Sequence, residues 1–353
     1  MERVAPTRFA APWDNVGLLV GDAARPVERV LLTIDLTRAV LDEAVRGAHS
    51  AVVAYHPPLF EAQKRFVAGS IAFEAARAGM AVYSPHTALD VAEGGTNDVL
   101  AMAAGLSDTQ PLRPLESRDH TYKLVTFVPA ADVEKVSRAV FEAGAGHIGR
   151  YSSCSFRAPG TGTFFGEEGA KPVVGAAGRL EEAPEVRLET VVPVGKAMDV
   201  VRALRSAHPY EEPAFDLLRL AGAPEGRGFG RLGIVRAVRA KELVGRVKQA
   251  LGVEHVLFAG ALDAEVTKVA VCAGSGGEFI DDAAAHGAHV LVTGEVRHHD
   301  ALRAHARGLN LVCTRHSVSE RAALRGLEAK LAHLLPGVVF ARSVEDRDPL
   351  EYA

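Results

Sequence analysis

The stretch "VERVLLTIDLTRAVLDEAVRGAHSAVVAYHPP", residues 27–58, reads as an apolar strand, a polar turn, an amphipathic helix, "GAH" and a second apolar strand. Strand, helix, strand in that order implies parallel pairing through a right-handed crossover. The second strand, Ala51 to Ala54, stops at Tyr55-His56-Pro57-Pro58. Neither proline has an N–H to give, so both end the ladder and pin His56 just past the strand's carboxyl end. In sheets of parallel strands, that rim is where sites are built.

The same pattern returns near the other end of the chain. "VTKVAVCAGSGGEFIDDAAAHGAHVLVTGEVR", residues 266–297, has the two strands, the turn, the helix and the "GAH". The match continues in "AFEAARAGMAVYSPHTALD" (72–90) and "ALRAHARGLNLVCTRHSVSE" (301–320). Both run helix, strand, then a histidine with an acid four residues on: His86 with Asp90, and His316 with Glu320. Agreement over two consecutive segments predicts a duplicated α/β lobe.

The middle carries a repeat of its own. "YKLVTFVPAADVEKVSRAVFEAGAG" (122–146) is echoed by "VRLETVVPVGKAMDVVRALRSAHP" (186–209), each a strand closing on Val-Pro before a helix. Between them "YSSCSFRAPGTGTFFG" (151–166) reads as strand, Gly/Pro turn, strand, and "PAFDLLRL" (213–220) as a further strand. Two strand–helix–strand halves predict a ferredoxin-like α+β unit. "PLRPLESRD" (111–119) and "AGAPEGRGFG" (221–230) have the composition of linkers. The predicted fold is therefore α/β. Two pseudo-repeated parallel-sheet lobes, 1–118 and 225–353, form one discontinuous domain, interrupted by the ferredoxin-like unit at 121–220.

Composition narrows the function. The 353 residues hold no run near the roughly 20 apolar residues of a membrane span and no secretory leader, so a cytoplasmic protein without a membrane partner is expected. A formal charge of −4 and the lack of a basic stripe give no case for nucleic-acid binding. Cys154, Cys272 and Cys313 lie far apart and read as reduced, buried thiols. Any metal must then be held by histidines and carboxylates.

Strand ends deliver such residues to one rim: His56, His86 with Asp90, Glu295, and His316 with Glu320. If "HSVSERAALRGLEAKL" is helical from its start, His316 and Glu320 share one face, a turn apart. Imidazoles mixed with carboxylates suit a divalent transition metal, and the carboxylates suffice to bridge two ions. His49, His286 and His289 precede strands and read as structural; His298 and His299 lie close enough to the rim to support ligands. "AGSGGEF" (273–279) reads as a tight turn in preference to an anion-binding loop, for it lacks the spacing of either phosphate-binding motif. "HPYEEPAFD" (208–216) reads as a polar turn.

Five motifs in order, "PWDNVGLLVGD", "YHPPLF", "HTALDVAEGGTND", "TGEVRHHDAL" and "RHSVSE", resemble the dinuclear-metal-centre hexameric proteins known as GTP cyclohydrolase 1 type 2 homologues, or Nif-three-like proteins. The middle unit resembles the PII-like (CutA-like) domain of the longer bacterial members. The resemblance spans nearly the whole chain. It implies a toroidal homohexamer with two divalent metal ions per chain, of zinc, iron or manganese, in the cleft between lobes. The ligands it implies are His56, Asp90, His316 and Glu320, with Tyr55 where many members have a first histidine. It also implies an extra helix ahead of Trp13, so the start reads as truncated or placed late. The implied activity is hydrolytic opening of the guanine ring of GTP, by metal-activated water attacking a nucleotide or related small molecule. His86 would then shuttle protons, or orient Asp90. The other expectation is a non-catalytic metal-binding hexamer serving as metal chaperone, sensor or scaffold.

Overall fold

The apolar runs of the quoted stretch become strands because both of their faces are covered. A computed structural model describes residues 1–115, 121–220 and 226–351. The chain divides into one unit of Met1–Leu115 with Glu225–Ala353, and a second of Glu116–Pro224.

The first unit opens with β1 (Gly17–Val20), β2 (Arg29–Thr33), α1 (Arg38–Arg46), β3 (Ala51–Ala54), α2 (Ile71–Arg77) and β4 (Ala81–Ser84). These are followed by α3 (His86–Val91), α4 (Thr96–Ala104) and β5 (Ser107–Pro114). The second unit comprises β6 (Thr121–Pro129), α5 (Val133–Glu142), β7 (Ser155–Phe165), β8 (Leu180–Pro193), α6 (Ala197–Ala207) and β9 (Phe215–Arg219). The first unit then resumes with β10 (Gly228–Arg239), α7 (Ala240–Leu251), β11 (Leu257–Ala259), β12 (Glu265–Ser275), α8 (Ile280–Ala285) and β13 (Val290–Glu295). It ends with α9 (His298–Ala306), β14 (Asn310–Cys313), α10 (His316–Arg321), α11 (Ala323–Leu334) and β15 (Val339–Arg342).

Two sheets build the first unit, in the orders β1-β4-β3-β2-β15 and β11-β14-β13-β12-β10-β5. In the former, β4, β3, β2 and β15 run parallel with β1 antiparallel at the edge. In the latter, β14, β13 and β12 are the parallel trio. Leu31 pairs with Val52 and Val52 with Val82; Val271 pairs with Val292 and Val292 with Val312. All of these are buried, as expected of parallel strands covered on both faces. Each such side chain contributes about 1.5–3 kcal/mol on full burial. Among the described residues no helix is long and apolar enough to cross a membrane.

The second unit is one antiparallel sheet in the order β7-β8-β6-β9, with Leu124, Val136, Leu188, Val200 and Leu204 in its core. Here the sequence reading needs correction. Residues 155–165 are one strand paired at every position with β8, not strand, turn, strand. Pro159 is tolerated because β7 lies at the edge of the sheet, where a missing N–H costs no ladder bond. The linker reading of 111–119 and 221–230 is also revised where it can be described. Pro111–Pro114 belong to the edge strand β5, and Gly228 and Phe229 pair with it, opposite Pro114 and Arg113; residues 116–119 and 221–225 lie outside the described residues. Of the three thiols, Cys272 and Cys313 are buried, whereas Cys154, just ahead of the edge strand β7, is half-buried. Burial pushes the Cys313 thiol up to about 11, with Glu295 adding to it, so it stays protonated at neutral pH.

Candidate metal centre

The carboxyl ends of the parallel strands place the candidate residues. Beyond β3, the Tyr55 and His56 amides still donate to Thr33 O (2.9 Å) and Ile34 O (3.0 Å), so the ladder runs on into the histidine. Pro57 and Pro58 end it there. The other sheet repeats the device, Thr314 and Arg315 donating to Thr293 O and Gly294 O at 2.9 Å each. Arg315 pays for this with an unusual backbone, φ 81° and ψ 151°, a conformation that costs about 1–3 kcal/mol and clusters at functional sites. His316 then opens α10, which places Glu320 one turn on.

His56, His316 and Glu320 come together, their ligand atoms all within 4.8 Å of one another. Glu320 Oε1 lies 3.2 Å from His316 Nε2, and Glu320 Oε2 lies 3.4 Å from His56 Nε2. The far nitrogen of each imidazole is held by a carboxylate: His56 Nδ1 by Asp35 at 2.9 Å and His316 Nδ1 by Glu295 at 3.0 Å. Outer carboxylates of this kind fix ring orientation and leave Nε2 for a metal. Glu320 is 2% exposed, and its Oε2 is buried without a hydrogen-bond partner. A buried carboxylate oxygen with no closer partner than His56 Nε2 at 3.4 Å is poorly satisfied, and a cation satisfies it. The donor set, two imidazoles and a carboxylate, fits a divalent transition ion.

Without an ion the histidines carry protons instead. Burial disfavours charge on His56, but the Asp35 hydrogen bond and the adjacent Glu320 carboxylate raise its pKa to about 10. The Glu320 contact raises His316 to about 9. Burial of Glu320 opposes ionisation, yet the two imidazoles outweigh it and hold its carboxyl below the usual value.

Asp90 lies outside the group of three. Its Oδ1 accepts the Tyr55 hydroxyl at 2.5 Å, so the residue standing at the first-histidine position engages the fourth predicted ligand. Burial raises the Asp90 pKa to about 6, against the Tyr55 hydrogen bond and with help from the Glu320 charge. The Glu320 charge thus disfavours ionisation of Asp90, and a cation relieves such a pair. His86 Nδ1 donates to Asp14 Oδ1, 2.7 Å away, and the His86 ring centroid is 5.4 Å from that of His56. The side chain of Asp14 is fully buried, and its Oδ2 accepts from the Thr87 amide at 3.1 Å and from the Thr87 hydroxyl.

The other histidines go elsewhere. His49 Nδ1 faces Ala44 O at 3.3 Å, His286 Nδ1 faces Asp282 O at 2.8 Å, and His289 Nδ1 accepts from the Thr267 amide at 3.1 Å. His298 lines the cleft beside Glu295, while His299 is exposed at the start of α9. The cleft itself is about 850 Å³ and is bounded by Asp35, His56, Glu295 and His316, with Leu257 and Leu311 supplying apolar surface.

Asp14, Asp35 and Asn97 escaped the sequence reading. Asn97, 1% exposed, accepts from the Ala273 amide at 2.9 Å and donates to Asp90 O at 3.1 Å, which ties the end of β12 to α3. A lone acid after a strand resembles any capping residue, so Asp35, just past β2, carried no signal of its own.

Residues 273–275, read from the sequence as the start of a tight turn, belong to β12, and Gly274 approaches the group closely. The Gly274 amide donates to Ser319 Oγ at 2.8 Å. Its φ is +67°, and a Cβ there would lie 2.7 Å from Glu320 Oε1 and 3.4 Å from His316 Nε2. Gly274→Ala is expected to destabilise the fold by about 1–2 kcal/mol from the left-handed backbone alone and to displace Glu320. Thermal melts with and without added zinc check this: the variant melts lower and gains less from zinc than the parent chain.

Comparison with known proteins identifies the family. The family description Duf34/NIF3 (NGG1p interacting factor 3) matches residues 1–349. The chain is 40% identical over 339 residues to the GTP cyclohydrolase 1 type 2 homolog of Halalkalibacterium halodurans, covering 95% of this chain and 91% of that one. It is 39% identical over 338 residues to the Bacillus subtilis protein of the same name, covering 94% and 90%. Among solved structures, a Bacillus cereus protein related to NIF3 aligns over 100% of this chain and 96% of its own, with 36% identity and a TM-score of 0.68. Staphylococcus aureus protein SA1388 aligns over the same shares with 27% identity and a TM-score of 0.76.

Proposed function

The chain belongs to the Duf34/NIF3 family, and on that premise we propose that it is a metal-dependent hydrolase acting on a nucleotide or related small molecule. The observation that carries this reading is the buried Glu320 carboxylate facing two imidazole Nε2 atoms, with an open cleft beside it. The name borne by its relatives, GTP cyclohydrolase 1 type 2 homolog, points the same way. His56, His316 and Glu320 would hold one divalent ion, and Glu320 with Asp90 a second; zinc, iron or manganese suits such donors.

Ions held there supply Lewis acidity and bring the pKa of a bound water toward neutrality. The remaining work falls to the chain's own side chains. Asp14 takes up His86 Nδ1, which leaves Nε2 as the acceptor for the proton of the attacking water. Asp35 and Glu295 keep the two ligating rings in place, and the Tyr55 hydroxyl holds Asp90. Within this reading, β2–α1–β3–α2–β4–α3 and β12–α8–β13–α9–β14–α10 are two copies of one lobe, as their shared element order supports. The second unit is ferredoxin-like, as its strand and helix order supports, and six chains assemble into a ring in the cytoplasm.

The test is turnover of GTP and of bis(p-nitrophenyl) phosphate by protein loaded with zinc, iron(II) or manganese. Turnover is expected to vanish with a chelator. It should fall about 10²- to 10⁴-fold in His86→Ala, the usual worth of a positioned acid–base group, with metal content unchanged. Full metal loading without turnover of either compound would leave the other reading, a metal-binding assembly that acts as chaperone, sensor or scaffold.

A further inference from the structure

Trp13 is the only tryptophan in the chain, and it is 60% exposed beside Phe60, which is 52% exposed. Their ring centroids are 6.0 Å apart with planes at 60°, so the pair forms a corner. Both stand edge-on to His86, at 6.0 Å and 6.5 Å. The rings then continue inward: His86 to His56 is 5.4 Å and His56 to His316 is 5.3 Å. An unbroken series of rings thus leads from an open indole to the candidate metal ligands.

Scattered surface aromatics need no explanation, but this corner is fixed on both sides. Asp14, next to Trp13, is buried against His86 and Thr87. Asn15 Nδ2 donates to Leu59 O at 2.5 Å, tying the loop of Trp13 to the loop of Phe60. A rigid aromatic surface held open beside a reactive centre suits a flat ring, for stacking needs a preformed face and little else.

We propose that Trp13 and Phe60 bind the planar heteroaromatic ring, of purine type, of the molecule acted on at the His56–His316–Glu320 group. The ring stacks on the indole, and Phe60 closes the corner. This deepens the hydrolytic reading and rests on it for the fate of the ligand, but the binding step stands apart from turnover. Trp13→Ala and Phe60→Ala should each weaken binding roughly 5- to 150-fold, the range for losing one base–aromatic stack.

Because the chain has one tryptophan, its emission reports the corner directly. Guanosine, GTP and sodium tripolyphosphate are titrated into the full-length protein at two protein concentrations, with the oligomeric state followed by light scattering. Saturable quenching by guanosine and GTP, absent with tripolyphosphate and independent of protein concentration, is the expected result. Equilibrium dialysis of labelled guanosine then ranks Trp13→Phe, which keeps a ring, above Trp13→Ala; Phe60→Ala serves as the second variant should Trp13→Ala fail to fold. No quenching by either purine compound, equal quenching by tripolyphosphate, or emission that tracks only self-association would overturn the proposal. Guanosine binding without turnover of any compound keeps the corner and removes the hydrolytic reading. Turnover of bis(p-nitrophenyl) phosphate with an indole silent to both purine compounds does the reverse.

Discussion

Glu320→Ala abolishes tight binding of zinc, whereas Asp35→Asn and Glu295→Gln each weaken it about 10- to 100-fold. The difference follows from position. Glu320 is the one carboxylate that both imidazoles face, at 3.2 Å and 3.4 Å, and its removal leaves two nitrogens with nothing opposite them. Asp35 and Glu295 touch only the far nitrogens. Their loss frees a ring to rotate and costs orientation, not a donor. His316→Ala and His56→Ala should resemble Glu320→Ala, each removing a nitrogen outright. Competition against a chelator of known affinity measures the series. Equal losses in all five variants would mean that the centre simply unfolds; no loss in Glu320→Ala would mean that the metal lies elsewhere.

Below about pH 9, zinc affinity rises about 100-fold per pH unit, and loading at pH 7 releases close to two protons per ion. The reason is that both candidate ligand imidazoles are charged in the metal-free protein, His56 near a pKa of about 10 and His316 near about 9. A metal must displace both protons. The same shifts set the stability of the metal-free chain. Each folded pKa lies above the ordinary histidine value of about 6.5. The stabilisation is therefore complete below pH 6.5 and fades as pH rises through 9 to 10. The melting temperature of metal-free protein should fall over that window, while that of zinc-loaded protein should not. Calorimetric titration in buffers of different ionisation enthalpy counts the protons. A heat that does not change with buffer would contradict the protonated pair.

Much of this centre was legible in the sequence, for a physical reason. One polar residue past a buried strand is ordinary, but the helix–strand–His-x-x-x-acid pattern occurs twice, at His86 and His316, with His56 closing a further strand, and that repetition carried the signal. The four-residue step from His316 to Glu320 is one helical turn, and α10 does begin at His316. Asp90 shared the same spacing with His86, yet its carboxylate binds the Tyr55 hydroxyl, a contact set by how β3 and α3 pack and not by any local pattern. Asp14 and Asn97 act over separations of 72 to 176 residues, which no periodicity reveals.

The misreadings share a cause. Pro159 with its neighbouring glycines, and Pro111 with Pro114, were read as local breaks because proline and glycine disfavour strands in general. In β7 and β5 they lie at sheet edges, where tertiary pairing tolerates them. Propensity speaks for the isolated chain; the edge position belongs to the assembled sheet.

Anomalous diffraction at the zinc edge, from crystals grown with zinc, locates the ion outright. The expected result is a peak about 2.0–2.2 Å from His56 Nε2, His316 Nε2 and a Glu320 oxygen, the distances usual for such ligands. Strong peaks elsewhere with none at this site, the three side chains still paired with one another, would contradict it.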